Sequence, residues 1–145
     1  MTKQSRAVSK SLLGDEMSGS IYLGHFRPAT GGAVRVTDKA TGETLYSSGV
    51  ASVEDVAEAC RIAKEAQPAW GALPPVARGD VLRRFAQLCE ANAEEIGQWI
   101  IRETGSIPPK APFEIMTSAR EAIEIAGTTG QPVGHILASA LTRKS

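Results

Sequence analysis

The chain has 145 residues, 42% of them hydrophobic, and its 16 Lys and Arg are balanced by 16 Asp and Glu. Single domains commonly hold roughly 100 to 150 residues, so one core is expected, and a net charge of zero supplies no field to draw the chain to nucleic acid or an anionic membrane. Cys60 and Cys89 are too few and too far apart for a disulfide framework, no apolar run approaches the roughly 18 residues that span a bilayer, and MTKQSRAVSK lacks the apolar heart of a secretory signal. A soluble, cytoplasmic protein is expected, with no nucleic-acid partner and no membrane partner.

Residues 1–19 are polar, with no periodicity beyond Leu12-Leu13, and read as a disordered or loose arm. Ile21-Tyr22-Leu23 begins ordered structure. Ala33-Val34-Arg35-Val36 alternates like a half-buried strand, Asp38 to Gly42 reads as a turn with Gly at its corner, and Thr44-Leu45-Tyr46 returns, which predicts a β-hairpin. Ser52 followed by Asp55 approximates a capping box and starts a helix. Val53, Val56, Ala57, Cys60 and Ala63 form its apolar stripe, and Pro68 is expected to close it. Trp70 then falls in a Pro- and Gly-rich segment, where an indole would plug a gap between helices.

A second helix is predicted from about Val76 to Ala91, with Val81, Leu82, Phe85, Leu88 and Cys89 on one face. Asn92 and Glu95 look like a cap pair for a third helix, or a kinked continuation, that buries Ile96, Trp99 and Ile100 and ends at Gly105. Phe113, Met116, Ala119, Ile123 and Ala126 repeat at helical spacing up to Gly127 and predict a fourth. Val133, Ile136 and Leu137 look like the start of a further element that residues 142–145 do not complete. Helices with this much apolar surface need a partner layer, and one short hairpin covers little of it.

The common signatures of chemistry are missing: no G-x-G-x-x-G after a strand, no phosphate-binding G-x-x-x-x-G-K-[ST], no G-x-S-x-G and no H-E-x-x-H. Cys60 and Cys89 lie within helical apolar stripes and read as small buried hydrophobes rather than nucleophiles. With His25 and His135 they lack the close-pair spacing of a Cys2His2 metal site. His25 and His135 read as solvated or hydrogen-bonded side chains. Glu94, Glu95, Glu103, Glu114, Glu121 and Glu124, near Arg102 and Arg120, read as solvated helix faces. Glu103, at a helix end before Thr104-Gly105, is the one acid kept as a possible supporting residue. No catalytic, cofactor-binding or metal-binding residue is assigned.

The order of segments points further than any single one. ATGETL (Ala40 to Leu45), SVEDVAEACRIAKEAQPAW (Ser52 to Trp70), LPPVARGDVLRRFAQL (Leu73 to Leu88), EEIGQWIIRETG (Glu94 to Gly105) and GQPVG (Gly130 to Gly134) together resemble the N-terminal part of the NAD(P)-dependent aldehyde dehydrogenase family. RETGSIPPKAPFEI, with Ser106 where many members have Lys, is most similar to the benzaldehyde dehydrogenase branch. Two departures stand out: no Pro precedes Ala40-Thr41-Gly42, and residues 138–145 do not follow the family pattern.

The resemblance implies an α/β fold of which this stretch is mainly α-helical with an N-terminal β-hairpin, lacking the Rossmann-like sheet. It implies a loose arm at 1–19, the N-terminal part of the cofactor-binding domain at 20–137, and a truncated or divergent tail at 138–145. The family oxidises an aldehyde to a carboxylic acid with NAD or NADP through a Cys thiohemiacetal and a thioester. Its nucleophilic Cys and general-base Glu come later than the matched stretch, so Cys60 and Cys89 are not the nucleophile. The resemblance implies a scaffold for oxidation of an aromatic, benzaldehyde-like aldehyde, inactive and without bound cofactor by itself, with the missing C-terminal portion or an oligomeric partner covering its apolar faces. The alternative is a non-catalytic helical interaction module, or a complementing subunit of a split enzyme.

Overall fold

The computed structural model of the chain describes residues 11–132 and 134, so the readings at residues 1–10, Val133, His135, Ile136, Leu137 and 138–145 lie outside the described residues. A 3-10 turn (Asp15–Met17) and two antiparallel hairpins precede four α-helices, so residues 11–19 of the loose arm expected at 1–19 are ordered instead, held by the hydrogen bonds of Ser11 and Leu12 to Glu95. β1 (Ser20–Tyr22) pairs with β2 (Phe26–Pro28), and β3 (Ala33–Thr37) pairs with β4 (Thr44–Gly49). The second hairpin is the one expected around Thr41-Gly42. Gly42 adopts φ +78°, where a side chain is disfavoured, and the Asp38 carboxylate accepts from the amides of Ala40 and Thr41 at 2.9 and 3.2 Å. The first hairpin shows in the sequence only as the onset of order at Ile21, because three-residue strands are too short for alternation to declare itself. The Gly19 amide donates to the Ser47 carbonyl at 2.8 Å and ties the two hairpins together.

α1 (Val53–Ala72) begins with the capping box expected of Ser52 and Asp55: each backbone amide donates to the other's side chain at 3.1 Å. Its end departs from expectation. Pro68 lies inside the helix, which continues to Ala72. Pro68 removes one amide donor, but every residue from 63 to 72 is exposed, so water can reach the carbonyl left unbonded. Trp70 therefore stands on the last helical turn, 46% exposed, and plugs no gap.

α2 (Pro75–Ala91) opens with Pro at its first position, where the missing amide is no loss. Asn92, at φ −113°, separates it from α3 (Ala93–Thr104), which settles the choice between a new helix and a continuation. The expected cap pair is not formed. The Asn92 side-chain amide donates back to the Leu88 carbonyl at 2.8 Å and closes α2 instead. Glu95 is drawn away by the Ser11 hydroxyl and the Leu12 amide, both at 2.7 Å. Gly105 ends α3 in the left-handed region, φ +72°, its amide donating to Ile101 at 2.9 Å. α4 (Lys110–Thr128) follows after a short linker.

Within the rows expected from the sequence, the core selects the small residues. α2 and α4 make the most extensive contact between helices, and its seam is built from small residues: Gly79 and Ala86 of α2 against Ala119, Ala122 and Ala126 of α4. Gly97 of α3 likewise admits Ala111 and Ile115. Val81, Phe85, Leu88, Phe113, Met116 and Ile123, on the apolar rows read from the sequence, are exposed, Phe113 at 62%, as expected of helices with more apolar surface than the short strands can cover. Periodicity identifies apolar rows but does not rank them, and small residues let two helix backbones approach where large ones cannot. The stripe of α1 is also bare, with Val53 80% exposed and Val56 and Cys60 exposed beside it.

Candidate functional site

Two polar clusters and one apolar groove are candidates. The first cluster centres on Asp55, 2% exposed at the start of α1. One carboxylate oxygen accepts from the Thr30 amide and hydroxyl, each at 2.8 Å, and from the Ser52 amide; the other accepts from Arg27 at 2.9 Å. The Thr30 amide and hydroxyl, then the Ser52 amide, outweigh burial and hold the carboxyl down at about 2, with the Arg27 charge adding to them. Asp55 thus does more than cap a helix: it fastens β2 and the turn after it to the end of α1.

The second cluster fastens the other hairpin to α3. Tyr46 donates its hydroxyl to Glu103 at 2.8 Å and meets Trp99 edge to face, with centroids 5.9 Å apart. Arg102 lies over the Trp99 ring at 5.6 Å and donates to Asp38 at 3.0 Å, while the Lys39 amide donates to the Arg102 carbonyl at 2.9 Å. Burial, then the Glu103 carboxylate, pushes the Tyr46 phenol up to about 12, and the Arg102 hydrogen bond holds Asp38 below its ordinary range. Glu95 is also lowered, chiefly by the Ser11 hydroxyl. Asp38, Asp55 and Glu95 are thus all shifted away from the raised pKa that a carboxyl acting as general acid near neutral pH requires.

The groove runs between α2, α3 and α4, encloses about 620 Å³, and is lined by Phe85, Cys89, Ile96, Ile100 and Phe113, with Glu114, Thr117 and Ser118 among its polar members. Lys110 pairs with Glu114 at 2.9 Å at its edge. Aromatic and aliphatic walls of this kind accept apolar groups.

The residues singled out in the sequence are not brought together. Cys60 is exposed on α1, against the expectation that it is buried, because none of the other described elements packs extensively over that stripe. Cys89 is half-buried against Ala86, Ala119 and Ala122, as a small hydrophobe would be. His25 is exposed in the turn between β1 and β2. Glu103 supports Tyr46. Among the described residues no three His, Cys, Asp or Glu side chains converge on a metal-binding arrangement. The clamps at Asp55 and Arg102 escaped the sequence reading because their partners lie 25 to 64 residues away, beyond any local pattern.

A dinucleotide does not fit the described residues. Its pyrophosphate is usually held by free amides at the start of a helix that follows a parallel strand. Here all strand pairs are antiparallel, and the amide end of α1 is taken up by Ser52 and Asp55, with Glu54 adding a second carboxylate. The remaining three helices begin at or beside Pro or Asn92, after loops rather than strands.

The fold and the ordered segments define a class. A model of the aldehyde dehydrogenase family matches residues 26–144, and the chain belongs to that family. It is similar to the vanillin dehydrogenase of an Amycolatopsis species, 41% identical over 136 residues that make up 93% of this chain and 28% of that protein. It is also similar to a benzaldehyde dehydrogenase (NAD+) of Pseudomonas putida, 32% identical over 85% of this chain and 25% of that protein. Among solved structures, an NAD-dependent benzaldehyde dehydrogenase from Corynebacterium glutamicum superposes with a TM-score of 0.81 at 28% identity, over 91% of this chain and 29% of that one. The chain therefore spans between a quarter and three-tenths of the length of these relatives. The family and branch read from the ordered segments agree with these findings.

Proposed function

We propose that the chain is the N-terminal structural part of an enzyme that oxidises an aromatic aldehyde to the carboxylic acid, with water supplying the added oxygen and NAD or NADP taking the two electrons. The observation that carries this reading is the match of nearly the whole chain to a vanillin dehydrogenase and a benzaldehyde dehydrogenase, over about a quarter of each. The chain supplies scaffold: residues 20–137 form the first part of the cofactor domain. Nucleophile, base and dinucleotide site belong to the remainder, which covers the open faces of α1, α2 and α4. No helix among the described residues is long and apolar enough to cross a membrane. A soluble enzyme of the reducing cytoplasm suits the unpaired Cys60 and Cys89.

Purified chain incubated with benzaldehyde or vanillin and either NAD or NADP should form no reduced nicotinamide. Produced together with the rest of the Amycolatopsis relative, it should form a complex that does. Turnover by the chain alone overturns the reading, and so does a stable complex inactive on aromatic aldehydes. The same bare helix faces favour a second reading, a non-catalytic interaction module. Under it the chain would bind a partner unrelated to the rest of an aldehyde dehydrogenase, and a stable monomer that binds no apolar probe would count against it.

A further inference from the structure

We draw no further inference here: the strongest candidate, the open apolar groove between α2, α3 and α4 lined by Phe85, Ile96, Ile100 and Phe113, is a bare helix face for which nothing in the structure shows an occupant beyond the remainder of the enzyme already proposed.

Discussion

Asp55 shows how one side chain acquires two roles from its position. A carboxylate three residues into a helix start caps it; because Thr30 reaches the capping oxygen and Arg27 the other, it also becomes the joint between hairpin and helix. Its native pKa of about 2 lies below the ordinary 3.8, so the native state binds fewer protons than the unfolded chain in between. The stability it contributes is full above the ordinary value and is lost as pH falls through about 2. The Asp55→Asn variant should accordingly show a lower urea midpoint than the parent at neutral pH, with the gap shrinking as both are titrated toward pH 2. Two glycines of the same helical layer should respond in opposite ways. A Cβ on Gly79 would stand 3.0 Å from the Ala126 carbonyl, a backbone atom that cannot swing aside. Overpacking of about 1–3 kcal/mol then exceeds the roughly 1 kcal/mol gained in helix propensity, so Gly79→Ala should destabilise. Gly71, in the last turn of α1 with open space around it, should tolerate Ala with a gain of roughly 0.5–1 kcal/mol. Urea unfolding of the two variants beside the parent checks both signs.

Among the elements, α1 is held firmly at its start, and at its far end by Arg78, which donates to the Gly71 and Leu73 carbonyls at 3.2 and 2.9 Å. Its first turn is locked by the capping box and the Asp55 joint, whereas its far half is exposed and carries Pro68. Pro in a helix interior costs about 3 kcal/mol relative to Ala, less near an end. The Pro68→Ala variant should gain helical signal in circular dichroism and slow amide exchange in residues 64–72, with little change in α2 or α4. Helix starts and stops governed by near neighbours were legible in the sequence: Ser52 with Asp55, Gly42 at its turn, Gly105 at the end of α3. Those decided by distant groups were not. Glu95 carries the spacing of a cap residue but is taken by Ser11 and Leu12, more than 80 residues earlier. Pro68 was read as a stop because its local penalty is plain, while the solvent that makes the penalty bearable is a property of the surroundings. The apolar row of α4 was legible in part: Ala119 and Ala126 go inward as read, but Phe113, Met116 and Ile123 of the same row do not, because the backbone at Gly79 opposite admits only the small members. Of the candidate site, the family membership was legible because it rests on the order of segments; the two polar clamps were not.

At the scale of the whole molecule, the largest side chains of α1, α2 and α4 are on the outside and alanines are within. Val53, Val56, Phe85, Phe113, Met116 and Ile123 are all exposed in a chain whose packed centre contains Ala86, Ala119 and Ala122. Exposed apolar area on this scale marks a contact surface or an aggregation liability. The isolated chain should bind an apolar dye strongly and scatter light as a concentration-dependent assembly larger than 15.3 kDa. A Phe85→Glu, Phe113→Glu double variant should lose most of both signals while keeping its helical content, since neither side chain belongs to the α2–α4 seam. A monomer with no dye binding would show that the faces are closed by the chain itself.

The alanine and glycine seam between α2 and α4 has a bearing on how such a sequence can change over time. Joining the two helices depends on residues too small to recognise anything, and what the pair presents outward depends on residues that take no part in the joining. Substitution in the seam is tightly restricted by the nearness of two backbones, as at Gly79. Substitution among the outward rows leaves that join intact, so lineages sharing one helical frame are at liberty to diversify what it meets.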